Sequence, residues 1–158
     1  VEEKEAIGIH EVVFDNSNFK DETWYINTNQ AFAFVNDTVT ASYGTATPKP
    51  HADVTETING VQYTTPGLKT QLIKTLKSQV AGILNNTDWY ITRNSEKSTA
   101  IPSSISTHRD AVRTKQAAME AQITGAADTA ALQTLYTHTE QENGSVTRPL
   151  GELPVLES

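Results

Sequence analysis

A change of period at Pro66 constrains this sequence more than any other feature. Upstream of it, residues 8–14, 23–26 and 31–35 are short runs rich in β-branched and aromatic side chains, and they read as strands. Residues 54–58 and 61–64 flank Asn59-Gly60. That pair tolerates the positive φ that both positions of a two-residue type I′ turn require, so a hairpin is predicted. Asn36-Asp37 predicts a second one. Residues 43–53 carry Gly44, Pro48 and Pro50 and read as a linker or an extended edge.

Downstream, Leu68, Leu72, Ile73, Leu76, Val80, Ile83 and Leu84 follow the spacing of an amphipathic helix, which Asn85-Asn86-Thr87 ends. A second helix is predicted after Pro102, capped by Ser103 or Ser104, with Ile105, Val112, Met119 and Ile123 as its apolar stripe. A third is predicted over residues 126–139, with Leu132, Leu135 and Tyr136 inward. The short joint at Thr124-Gly125 predicts antiparallel neighbours. Beyond residue 140, Gly144, Pro149, Gly151 and Pro154 interrupt any helix, and Leu150, Leu153, Val155 and Leu156 leave the tail apolar. Such a tail either frays or docks on a neighbour.

These elements define an α+β chain. N-terminal antiparallel β hairpins lead into an antiparallel helical hairpin or three-helix unit and an extended C-terminal tail. The regions expected are residues 1–66 (β-rich), 67–139 (helical) and 140–158 (tail).

The formal net charge is −7, with 12 Lys and Arg among 158 residues. Nucleic-acid binding works by neutralising phosphates with basic side chains, so no nucleic-acid partner is expected. No apolar run reaches the roughly 20 residues that span a bilayer, so no membrane partner is expected either. The run Glu2, Glu3, Lys4, Glu5 does not read as a secretion signal. Without one, the sequons at Asn36, Asn85 and Asn143 are expected to stay unmodified. Cysteine is absent, which removes disulfides, thiolate metal sites and cysteine nucleophiles.

Little else carries chemistry. His10, His51, His108 and His138 lack helical metal-pair spacing and read as surface imidazoles, with His108 and His138 able to meet if their helices pack. Asp15, Asp21, Glu22, Asp37 and Asp53 fall in turns, where carboxylates mostly bond local backbone. There is no phosphate-binding loop and no nucleophile elbow. The expectation is a protein without enzymatic activity, cofactor or metal. Trp24 and Tyr25, with Phe32 and Phe34 and the tail residues Leu150, Leu153, Val155 and Leu156, are candidate interface residues, because aromatics combine large apolar area with a polar tip.

Residues 88–113 are the densest stretch. They read as a helix exit, a compact polar turn and a Pro-started helix. Trp89 and Ile101 can clamp the helix ends, and Arg93 and Glu96 can pair across the turn. Arg109 and Arg113 share one helix face and can reach Glu96 or the carbonyls that end the first helix. Trp89, Arg93, Glu96, Ile101, Pro102, Arg109 and Arg113 are therefore expected to stabilise the helical hairpin.

The pattern Asp-Trp-Tyr-x-x-Arg, then Glu, then Ile-Pro, then Arg-x-x-x-Arg resembles a helical segment of tailed-bacteriophage tail fibre assembly proteins and related small tail- or baseplate-associated proteins. Leu84, Trp89, Arg93, Glu96, Ile101, Pro102, Arg109 and Arg113 stand at the matching places, and the resemblance spans about residues 68–115. It implies a virion structural protein of the tail, baseplate or neck. Its partners would be other phage structural proteins, tail or fibre subunits among them, or further copies of itself. Its location would be the virion, and the host cytoplasm during assembly. The alternative it implies is a tail fibre assembly chaperone that leaves the mature particle.

Overall fold

The computed structural model describes residues 8–156; the N-terminal acidic run and the last two residues of the tail lie outside them. The chain is α+β, with strands first and helices later. Its contacts divide it into two compact units between Lys49 and Pro50. The second hairpin therefore belongs with the helices, and the break falls at the Pro-rich segment, not at Pro66.

In the first unit, β1 (Val12–Asp15), β4 (Thr38–Ser42) and β3 (Ala31–Val35) form a sheet in that order. β3 and β4 make the predicted hairpin, with Val35 opposite Thr38 and both turn residues left-handed, Asn36 at φ 51° and Asp37 at φ 58°. β1 departs from the antiparallel expectation. It pairs with β4 in parallel, Val12 opposite Val39 and Phe14 opposite Ala41. Parallel neighbours need a long connection, and the intervening chain supplies one. That connection contains β2 (Tyr25–Ile26), which pairs antiparallel with β5 (Thr47–Pro48), so part of the expected linker is a strand.

In the second unit, β6 (Val54–Ile58) and β7 (Val61–Thr65) form the Asn-Gly hairpin, with Asn59 at φ 52° and Gly60 at φ 82°. The base of this hairpin also starts the first helix, α1 (Leu68–Asn85). A helix leaves its first N–H groups unpaired, and α1 has no side-chain cap of its own. Asp53 Oδ1 accepts from Gly67 N at 2.8 Å and from Thr70 Oγ1 at 2.6 Å, while the Pro50 and His51 carbonyls accept from Leu68 N and Lys69 N, both at 3.0 Å. Gly67 is required by this close approach, because a Cβ there would overlap the Ala52 carbonyl.

After α1 come α2 (Asp88–Lys97), α3 (Ser103–Gly125) and α4 (Thr129–Tyr136). α1 packs along α3. Lys69 near the start of α1 donates to the Thr124 carbonyl at the end of α3, and Arg109 near the start of α3 donates to the Leu84 carbonyl at the end of α1. The two helices are therefore antiparallel. Leu68, Leu76 and Val80 from α1 are buried, as are Ile105, Val112, Met119 and Ile123 from α3, as the stripe predicted.

Three local expectations change. α3 is capped by neither serine: extended Pro102 occupies the cap, its carbonyl accepts from Ile105 N and Ser106 N, and Ser103 is already helical. The third helix begins at Thr129 and not at Ala126, because Asp128 caps it by accepting from Ala131 N at 2.8 Å. The tail folds back on its own chain. β8 (Thr139–Glu140) pairs with β9 (Val146–Thr147), and the following turn buries Leu150, whose N–H donates to the Leu135 carbonyl at 3.0 Å.

Candidate functional site

The stretch read as a polar turn is the helix α2. It has no apolar stripe, which is why periodicity did not find it. Its charges were the available signal: Asp88 lies in its first turn and Lys97 in its last, each matched to the helix dipole. Ser98 ends it in the left-handed conformation, with its N–H on the Asn94 carbonyl.

The ends of three helices meet at Arg109. Its Nη1 donates to the Leu84 carbonyl at 2.8 Å and to Thr87 Oγ1 at 2.6 Å, and its Nη2 lies 2.8 Å from Asp88 Oδ1. The side chain is 7% exposed. One guanidinium thus satisfies a carbonyl at the end of α1, fixes the connecting residue Thr87 and neutralises the acid opening α2. A cation at a helix C-terminus and an anion at a helix N-terminus are both favoured by the helix dipoles. Of the two arginines expected to reach back, Arg109 does so; among the described residues Arg113 pairs with Asp110 on its own helix, at 3.5 Å.

The other expected clamp residues sit differently. Trp89 is 50% exposed, and its ring lies 3.7 Å from that of Tyr90, centroid to centroid. The Arg93 guanidinium is 4.8 Å from the Trp89 ring and 5.4 Å from the Tyr90 ring. No ion pair joins Arg93 to Glu96 among the described residues, and Arg93 Nε is buried without a hydrogen-bond partner. Ile101 is half-buried, and Pro102 and Glu96 are exposed.

The candidate interface residues divide. Trp24 and Tyr25 are 5% and 7% exposed and belong to the interior, because Asp21 starts a turn that carries them inward: its carbonyl accepts from both of their N–H groups. Leu150 is likewise buried and Leu153 half-buried. Phe32 and Phe34 stay open at 65% and 57%, and Val155 and Leu156 are exposed. Cross-strand partners lie on the same face. Phe32 and Phe34 therefore share one sheet face with Val39, Ala41, Val12 and Phe14, a grouping that needed the parallel register of β1. The β6–β7 hairpin has the same character. Val54, Ile58, Val61 and Tyr63 line one face, and all are exposed. Its other face is polar, with Thr55 and Thr64 hydroxyls 3.0 Å apart.

Three carboxylates bond backbone N–H groups of the fold. Asp15 and Asp21 are held below the usual carboxylate range by N–H donation from Ser17 and Thr23. Asp53 is lowered by the Thr70 hydroxyl and then the Gly67 N–H. Burial raises the Tyr136 phenol, against which Arg148 acts from 5.4 Å. His108 is buried, contrary to the surface reading, because it sits on the α3 stripe between Ile105 and Val112; His138 is exposed. Among the described residues, no three His, Asp or Glu side chains converge as a metal site, and no helix is long and apolar enough to cross a membrane. No protein-family model, curated protein or solved structure matches this chain.

Proposed function

We propose that this chain is a structural protein of a tailed-phage virion, in the tail, baseplate or neck, and that it acts through protein–protein contacts and not catalysis. The observation that carries this reading is the open apolar sheet surface. Phe14, Phe32, Phe34 and Val35 in one unit, and Ile58, Val61 and Tyr63 in the other, are each more than half exposed. A two-stranded ribbon alone is marginal in water, and sheets with exposed apolar faces and free edges pair with other chains. Subunits of a large assembly find those partners in their neighbours. The resemblance of residues 68–115 to small tail-associated proteins supplies the kind of assembly.

Mass spectrometry of purified particles tests the reading, and the chain is expected among the virion proteins in stoichiometric amount. Its absence from intact particles would overturn the structural role. Absence combined with loss of fibre trimers when the gene is deleted would establish the alternative, a tail fibre assembly chaperone.

A further inference from the structure

α2 has no buried residue, yet it is a regular ten-residue helix. Helices this short rarely persist alone. This one is tied at its start by Asp88 to Arg109 and at its end by the Ser98 cap, with Asn94 Nδ2 donating to the Thr99 carbonyl at 2.8 Å. The scaffold therefore presents α2 without using its side chains as core. What it presents is Trp89, Tyr90 and Arg93 on one face, the residues four apart being helical neighbours.

Charge singles out Arg93. The other arginines each hold a carboxylate: Arg109 holds Asp88, Arg113 holds Asp110 and Arg148 holds Glu152. Arg93 has none within 4 Å among the described residues, although Glu96 lies one turn away. Its plane is instead braced over two aromatic rings. A guanidinium held in this way can still take a carboxylate on its N–H donors, and its buried Nε has no hydrogen-bond partner among the described residues. The half-exposed Trp89 ring beside it offers an apolar anchor.

We propose that the Trp89–Tyr90–Arg93 face of α2 is a docking site for a protein segment bearing an Asp or Glu next to an aliphatic or aromatic side chain. The carboxylate seats on the Arg93 guanidinium, and the apolar neighbour covers Trp89. Trp, Tyr and Arg are the residue types that dominate binding at interface centres. Stacked nucleobases would also suit the rings, but a strand brings several phosphates to neutralise, and α2 has only Arg93 and Lys97 to set against them. The inference rests on the reading of this chain as a protein-contact component. It is independent of which particle, if any, the chain enters.

Selection of a random twelve-residue displayed peptide library against the purified full chain tests it. The expected result is a consensus with Asp or Glu adjacent to Leu, Ile, Phe or Trp. A synthetic peptide of that consensus should bind Trp89→Ala and Arg93→Ala at least tenfold more weakly than wild type. Arg93→Lys, which keeps the charge and loses the fork, should recover only part of that loss. Phe32→Ser, in the first unit, should bind as wild type does, and circular dichroism on each variant separates lost binding from lost fold. Four results would overturn the proposal: no enrichment, a consensus without an acid, binding unchanged in folded Trp89→Ala and Arg93→Ala, or displacement of the peptide by single-stranded oligothymidine. Particle composition bears on none of these outcomes, so failure here and failure of the virion reading are separate results.

Discussion

At the scale of single residues, Arg109 and Asp53 do the joining. Arg109→Ala removes three charge-assisted bonds from a buried position and strips the stem packing. The expected loss is about 2–4 kcal/mol in denaturant unfolding. Asp88→Asn should cost less than about 1 kcal/mol, since Asp88 is exposed and water replaces the lost partner. A similar cost for both variants would mean that the ion pair, and not the carbonyl and hydroxyl contacts, fastens the helix ends. Asp53 has a lowered folded pKa, so its contribution is present above the unfolded value of 3.8 and is lost as pH falls through the folded value. The Gly67 amide should report that loss with a midpoint below 3.8 in an NMR titration, and Asp53→Asn should abolish the transition. The role of Arg109 was half legible. Its i, i+4 spacing with Arg113 and its place after Pro102 put it near the end of the first helix, but nothing in the spacing separated it from Arg113. Register between α1 and α3 did that.

At the scale of elements, the local code was strong wherever one residue pair dictates geometry. Asn59-Gly60 and Asn36-Asp37 fix their hairpins because both positions take positive φ. It failed for α2, whose side chains show no stripe, and for β1, whose partner lies more than twenty residues away. Gly67 is a further case. Its φ of −76° suits any residue, so only the approach of Ala52 explains it. Gly67→Ala should cost roughly 1–3 kcal/mol by forcing the hairpin base away from α1, measurable as a lowered Tm. Trp89→Ala should cost less than about 1 kcal/mol by the same measurement, since the ring is half exposed and α2 buries nothing. A larger cost would return Trp89 to a hairpin-stabilising role.

At the scale of the whole molecule, the division at Lys49 and Pro50 sets two cores of unequal size. Residues 50–158 contain the buried positions of α1, α3 and α4 together with Leu150, and this fragment should unfold cooperatively on its own in a thermal scan. Residues 8–49 bury few large side chains, Trp24 and Tyr25 foremost. A chain so short seldom folds without staples or partners, so its isolated fragment should show no cooperative transition. A cooperative transition in that fragment, or none in residues 50–158, would contradict the assignment of the cores.

By itself, the sequence determined the α+β order, both tight turns, the α1 and α3 stripes and the lack of thiol chemistry. Each of these follows from torsional preference or from periodicity within a few residues. Tertiary structure alone decided that Trp24, Tyr25 and Leu150 go inside, that Arg109 closes the helix ends, that β1 adds in parallel, and that Asp53 caps a helix fourteen residues away. Those outcomes depend on which distant backbone groups arrive beside a side chain. Only chain packing sets that, because an apolar or charged residue satisfies its local preferences equally well at a surface and in a core.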